Sequence, residues 1–174
     1  NGLTLTNLQG KLSNNVHALT LGDTFESFSQ YALNTAVKGG SWRYADSANP
    51  GGPEFTVLHG LAVSRWDNLW DLPTLERRVT GARAKQAFGD EVALGISAVQ
   101  TSDGNVPPGA SRLKGHTATV DAEYRPMPGL TVRAETSFSG YEEELAAGVV
   151  VKTDGNAFRL EAVGDADPSR VSLE

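Results

Sequence analysis

Charged residues alternate with small or apolar ones along much of this sequence. These charged side chains are the ones most able to take part in catalysis or ligand binding. Asp121, Glu123 and Glu135 bring carboxylates close together, as a general acid–base pair requires. Arginines and lysines stand among them at similar spacing, and such mixed sets more often form an ion-paired wall than a catalytic centre. We therefore expect wall charges and no enzyme activity. The full candidate set is Arg83, Lys85, Asp121, Glu123, Arg133, Glu135, Arg159 and Glu161.

Other patterns of catalysis and ligand binding are missing from the sequence. His17, His59 and His116 are far apart and belong to no His-x-His or His-Glu-x-x-His motif, so we expect no metal site. No serine stands in a Gly-x-Ser-x-Gly motif, and a chain without cysteine has neither disulfides nor thiolate ligands. The net charge of −6 argues against a nucleic-acid partner. We expect no cofactor.

A tryptophan pair in the segment from Ser64 to Arg78 offers a different chemistry. Trp66 and Trp70 stand four residues apart beside two aspartates, and a short helix would place both rings on one face. Aromatic rings beside carboxylates suit sugar recognition. The same residues also suit an anchor at a membrane interface, and the sequence leaves both interpretations open.

Apolar and polar residues alternate with a period of two in the segments that carry these side chains, and this pattern predicts β-strands. Between Leu130 and Phe138, apolar residues occupy one face of an extended chain, while Arg133 and Glu135 occupy the other. The segments 92–98, 117–124 and 158–162 alternate in the same way. Strands are predicted to begin near Leu3, Val16, Lys38, Phe55, Arg78, Val92, His116, Leu130, Leu145, Ala157 and Arg170. We therefore predict an antiparallel all-β chain.

The connections between these strands tend to alternate in length. Long ones are predicted at residues 22–36, 64–76 and 101–114, and short ones include a hairpin turn at Asp154 and Gly155. Every second connection of an up-and-down sheet returns to the same end, so the long ones should lie together. The segment from Gly22 to Asn34 carries three aromatic residues and could fold inward as a constriction or cover.

Large aromatic residues stand near the predicted strand ends. Between them, one face carries mainly Val, Leu, Ile and Ala, whereas the other carries the candidate charges. A transmembrane barrel combines two aromatic belts, a lipid-facing apolar band and a wet lumen in this way. A soluble β-sandwich also alternates, with its polar face toward water. The predicted belt residues are Tyr44, Phe55, Trp66, Phe88, Tyr124, Phe138 and Phe158.

Two stretches resemble porin-type proteins of the outer membrane. The first, LTLGDTFESFSQYALNTAVKGGSWRY at residues 19–44, has a strand ending in Leu-Gly-Asp, then an aromatic segment and a glycine-rich strand. The second, YRPMPGLTVRAETSFS at residues 124–139, resembles the strand–turn–strand unit of the same group. The resemblance implies an outer-membrane location and a passive or gated pore, and it carries no catalytic residues.

We therefore predict an antiparallel up-and-down transmembrane β-barrel, or a segment of a larger one, with about ten to eleven strands. Residues 1–174 should form a single unit, which we interpret as an incomplete fragment of a longer chain, because strand-like sequence reaches both ends. The expected partners are the lipid bilayer of a bacterial outer membrane and other chains or segments that complete the barrel. Small polar solutes should pass with weak ion selectivity, since the wall charges have both signs. The alternatives are a non-conducting structural barrel and a soluble carbohydrate-binding β-sandwich.

Overall fold

The computed structural model describes residues 7–49, 51–62, 76–104, 106, 109–145, 148–166 and 169–173. In these residues ten strands form one antiparallel sheet in which strand order follows sequence order. The strands are β1 (Gln9–Ser13), β2 (His17–Ser29), β3 (Leu33–Ala45), β4 (Pro53–Leu61), β5 (Arg77–Phe88), β6 (Val92–Asp103), β7 (Arg112–Met127), β8 (Leu130–Glu144), β9 (Val150–Ala166) and β10 (Ser169–Leu173). The all-β, antiparallel, up-and-down prediction is confirmed. In this part of the chain, no helix is both long and apolar enough to cross a membrane.

The sheet is open rather than closed into a barrel within the described residues. β1 pairs with β2 alone, and β10 pairs with β9 alone. The described residues also form one sheet rather than the two layers that a sandwich requires.

The β2–β3 hairpin is longer than the sequence predicts. The predicted loop from Gly22 to Asn34 is mostly strand, because β2 continues to Ser29 and β3 begins at Leu33 rather than at Lys38. The prediction placed three aromatic residues in this loop. Two of them lie in β2 on opposite faces of the sheet, since Phe25 is 62% exposed and Phe28 only 3% exposed.

The predicted turn at Asp154 and Gly155 is wrong, because both residues lie inside β9. They pair with Gly140 and Ser139 of β8 in an unbroken register. Gly155 is not among the described glycines with positive φ, so the local turn preference of Asp-Gly is not expressed. The strands predicted from Leu145 and from Ala157 are therefore one strand. The predicted strand start at Leu3 lies outside the described residues.

Successive strands run in opposite directions, so the sheet has two ends. We call loop end the one at which β2, β4, β6 and β8 finish, and turn end the one at which β1, β3, β5 and β7 finish. The strands that precede the predicted long connections at residues 64–76 and 101–114 both finish at the loop end.

The two faces of the sheet differ in chemistry. In β5 to β9 the odd-numbered residues, among them Arg83, Asp121 and Glu135, share the face that we call inner. The even-numbered residues share the outer face, where large apolar side chains are exposed. Examples are Ile96 at 59%, Val120 at 51%, Phe138 at 59% and Phe158 at 69% exposure.

The sheet curls around its inner face. The backbone amide nitrogens of Gln30 and Tyr31, in the β2–β3 turn, lie 3.4 and 3.2 Å from the carboxylate oxygens of Glu135 in β8. Gln30 also accepts a hydrogen bond from Arg159 in β9. A turn of β2 can touch β8 and β9 over one face only if that face is concave.

A small apolar core lies beneath this turn on the inner face. Phe28 packs over Gly81, where a Cβ atom would lie only 2.6 Å from the Phe28 ring. The Phe28 ring can therefore pack at this position only because Gly81 has no side chain. The buried apolar cluster comprises Phe28, Leu33, Val37, Leu58, Val79 and Val99.

Candidate functional site

A charged cavity of about 390 Å³ lies on the inner face between β5, β7, β8, β9 and the β2–β3 hairpin. The hairpin contributes Phe28, Ser29 and Gln30 to its wall. The period of two placed the candidate charges on one face of separate strands, and the curl of the sheet brings them to one cavity. All eight candidate residues line it: Arg83, Lys85, Asp121, Glu123, Arg133, Glu135, Arg159 and Glu161.

Arg83 and Asp121 form a bidentate ion pair across the intervening strand β6. Their N–O distances are 2.7 and 2.8 Å, and both side chains are largely buried. The pair lies above Gly95, where a Cβ atom would come within 2.6 Å of both partners. Sequence reasoning missed Gly95, although a glycine inside an alternating strand is a recognised sign of close approach.

A row of hydroxyl groups continues from this ion pair. The Arg83 guanidinium also donates to the Ser97 hydroxyl at 3.1 Å, and Ser97 lies 2.7 Å from the Thr119 hydroxyl. Both hydroxyl residues are buried. Buried polar groups need partners of this kind, so the hydroxyls and the ion pair stabilise one another.

A second network of charges joins β7, β8 and β9. Arg133 lies 3.0 Å from Glu123 and 3.9 Å from Glu161, and Glu161 lies 3.3 Å from Arg159. Arg125 adds a further ion pair with Glu123. Positive and negative groups alternate along this network, so the cavity wall has mixed sign.

The charged cavity adjoins another cavity toward the turn end. The second cavity has a volume of about 310 Å³ and shares Lys85, Ala93 and Glu123 with the first. It continues to Gly51 and Glu91, in the connections at the turn end. Polar space therefore follows the inner face from the β2–β3 hairpin toward the turn end of the sheet.

The aromatic residues of the predicted belts lie on the outer face wherever they are described. Tyr44 clusters at the turn end with His17 and Phe55, with ring centroids 5.5 and 6.0 Å apart. From the sequence, Phe138 is expected in the opposite belt from Tyr44. In the strand pairing, Phe138 lies in the same lateral row of paired residues as Trp42, and this row runs through β4, β5, β6 and β7. The described belt residues are Tyr44, Phe55, Phe88, Tyr124, Phe138 and Phe158. Trp66, like Trp70, lies outside the described residues.

A row of charges borders the outer apolar face near the loop end. Lys38 pairs with Asp23 at 2.5 Å, and Lys152 pairs with Glu142 at 2.5 Å. The row also contains Arg78, Ser102 and Lys114. Sequence reasoning did not identify this row, because its members come from many strands and align only once the register is known.

An ion pair with a buried carboxylate stands at the loop end of the inner face. Arg77 holds the Asp103 carboxylate through contacts of 2.8 and 3.1 Å, and the Leu113 amide donates to it at 3.0 Å. Burial acts to raise the pKa of Asp103, but the hydrogen bonds from Arg77 and Leu113 outweigh it, so that pKa lies below its usual value. The carboxylate thereby ties the ends of β5, β6 and β7 together.

No group of three or more His, Asp or Glu side chains among the described residues is arranged to hold a metal ion. No protein-family model, curated protein or solved structure matches this chain. The interpretation of the cavity therefore rests on its own geometry and charges.

Proposed function

We propose that this chain forms part of the wall of a transmembrane β-barrel in a bacterial outer membrane, and that small polar solutes pass along its inner face. The observation that carries the proposal is the inverted distribution of polarity. Charged side chains gather in a cavity on the concave face, while large apolar side chains point outward and stay exposed. A soluble sheet buries its apolar face, whereas a membrane barrel turns that face toward lipid.

The inner face supports passage of polar solutes in two respects. Its adjoining cavities form continuous polar space along the strands, and their walls offer donors and acceptors of both signs. Four cationic and four anionic side chains of the candidate set balance one another. A wall with balanced charges should discriminate weakly between small cations and anions.

Partitioning of the native full-length protein between carbonate-washed membranes and the soluble fraction tests the proposal first. We expect retention in the membrane and release only by detergent. The purified protein should then raise the conductance of a planar lipid bilayer in discrete steps, with similar permeability to K⁺ and Cl⁻. Recovery in the soluble fraction would refute the membrane location, and insertion without conductance would refute the pore.

A second candidate is a barrel that inserts but conducts little. It is favoured by the β2–β3 turn, which reaches across the inner face to Glu135 and Arg159. The apolar core around Phe28 fills part of the same face. Step conductances distinguish the two candidates directly, since a filled barrel would insert without producing them.

A further inference from the structure

An apolar groove of about 750 Å³ crosses the outer face from β2 to β7. Its floor contains the small side chains Ala82, Ala98 and Ala118, which lie side by side on neighbouring strands. Leu19, Trp42 and Val57 are larger and lie to one side. The combination of a small-residue floor and a bulky wall gives a channel for chain-like apolar groups on an otherwise exposed surface.

The loop end of this groove is polar. Thr80, Gln100 and His116 complete its lining there, on the same three strands as the alanine floor. The Thr80 hydroxyl lies 2.8 Å from the His59 ring nitrogen. Hydroxyl, amide and imidazole groups therefore stand where the apolar floor ends.

Two exposed cations stand one side-chain position beyond this polar line. Arg78, Ser102 and Lys114 pair laterally with one another on β5, β6 and β7, so the cations flank a serine. Adjacent strands lie about 4.8 Å apart, which sets the two cations roughly 10 Å apart at the backbone. The two cations thus stand just beyond the polar end of the groove, whose floor is formed by alanines.

The carboxylates near Arg78 and Lys114 only partly neutralise these two cations. Glu76 is 3.6 Å from Arg78, and the Arg78 side chain remains 57% exposed. Glu142 pairs laterally with Lys114, but its carboxylate is engaged by Lys152 at 2.5 Å. An incoming anion would therefore meet Arg78 and Lys114 as exposed charged groups.

We propose that the groove binds a multiply acylated glycolipid with two phosphate groups in the outer leaflet, and this rests on the proposed membrane function. An acyl chain fills the channel over Ala82, Ala98 and Ala118, while one phosphate binds Arg78 and the other binds Lys114. Ser102 and Gln100 donate to the sugar between the phosphates. A second copy of the chain fits less well, because a symmetric contact of this surface would bring the same cations near one another.

Binding of diphosphorylated lipid A to the native full-length protein in detergent micelles tests this inference. We expect the dissociation constant to rise at least about tenfold in the double variant Arg78→Gln/Lys114→Gln, because it removes both charge-assisted contacts to the phosphates. The matched control is Arg43→Gln/Arg112→Gln, which removes the same charge from exposed positions outside the groove and leaves the Lys152–Glu142 pair intact. The control should bind nearly as the unchanged protein does.

The lipid probes separate the parts of the site. Lipid A without phosphates and phosphatidylglycerol should each bind more weakly than diphosphorylated lipid A, and filling the groove with Ala98→Trp should weaken binding of all three. Equal affinity for these lipids, or equal loss in both double variants, would overturn the inference. Efficient disulfide dimerisation of an Ala98→Cys variant in membranes would also overturn it, since a second copy would then cover the groove.

Membrane partitioning of the same protein distinguishes failure of the lipid site from failure of the proposed membrane function. Protein that stays in carbonate-washed membranes but shows no preference for the diphosphorylated lipid refutes the lipid site alone. Protein recovered in the soluble fraction refutes both.

Discussion

Arg83 of β5 and Asp121 of β7 join their side chains directly above Gly95 of β6, so a strand without a side chain at that point lets its two neighbours meet. Gly81 likewise leaves room for the ring of Phe28. On the inner face, therefore, the positions of glycines determine which distant side chains come into contact.

Gly95→Ala should break the Arg83–Asp121 pair. The new methyl group would lie 2.6 Å from both partners, and their flexible ends can move aside only by separating. Alanine ordinarily fits a strand better than glycine, yet we expect a loss of roughly 1–2 kcal/mol in the free energy of unfolding. Urea denaturation in detergent, followed by tryptophan fluorescence, measures the change.

The matched control for this change is Gly164→Ala, because a Cβ atom at Gly164 would meet nothing within 4 Å. We expect it to leave stability unchanged or slightly improved. Similar losses in both variants would show that Gly95 has no special relation to the ion pair.

Phe28→Ala should strongly destabilise the curl of the sheet. The ring is 3% exposed within the apolar core of the inner face, and loss of a buried phenylalanine costs about 3–5 kcal/mol. Phe25→Ala provides the comparison in the same strand, since Phe25 is 62% exposed. If the two variants unfold at the same urea concentration, Phe28 does not anchor the hairpin.

Glu135→Ala should release the β2–β3 turn from the inner face. The carboxylate accepts from the backbone amides of Gln30 and Tyr31, and we expect a stability loss of about 1 kcal/mol. Step conductance should rise, because the turn no longer crosses the cavity. Glu123→Ala removes a carboxylate from the same cavity without touching the turn, so an equal rise in that variant would point to charge rather than to the turn.

Asp103 should make stability fall in acid. Its folded pKa lies below the usual value of 3.8, so its contribution is complete above that pH and disappears as the pH falls through the lower folded pKa. Asp103→Asn should remove this contribution, which we expect to be about 2 kcal/mol at pH 7.

Unfolding curves of both proteins between pH 2 and pH 7 measure the Asp103 contribution, and the difference between them should shrink below about pH 4. A difference that stays constant over that range would mean that the Asp103 carboxylate is not selectively stabilised in the folded protein.

Alternation of residue type was sufficient to predict the strands from β4 to β8 and their faces. In β6, for example, Leu94 and Ile96 face outward, whereas Ser97 and Val99 face inward. Successive side chains of any strand point to opposite faces, so this prediction does not require knowledge of the neighbouring strands. Every member of the charged set follows from that rule. Strand pairing in sequence order then follows from short connections.

Features that depend on register or curvature were beyond the same reasoning. Asp154 and Gly155 have a strong local turn preference, but pairing along the whole of β8 overrides it. The Phe28–Gly81 contact joins residues that no local pattern relates. The partners of Arg83 and Arg133 also could not be foreseen, because a shift of one residue in pairing would move each to the opposite face.

The reach of the β2–β3 turn has a consequence for the order of folding. Each strand pairs with its neighbour in sequence, so hairpins can form one after another through short loop closures, which are fast. The contacts of Tyr31 with Glu135 and of Gln30 with Arg159 instead join residues 104 and 129 positions apart. They cannot form until β8 and β9 are in place. Docking of the β2–β3 turn on β8 and β9 is therefore a late event in folding. Its rate reports when the sheet has become curved enough for these distant strands to approach each other.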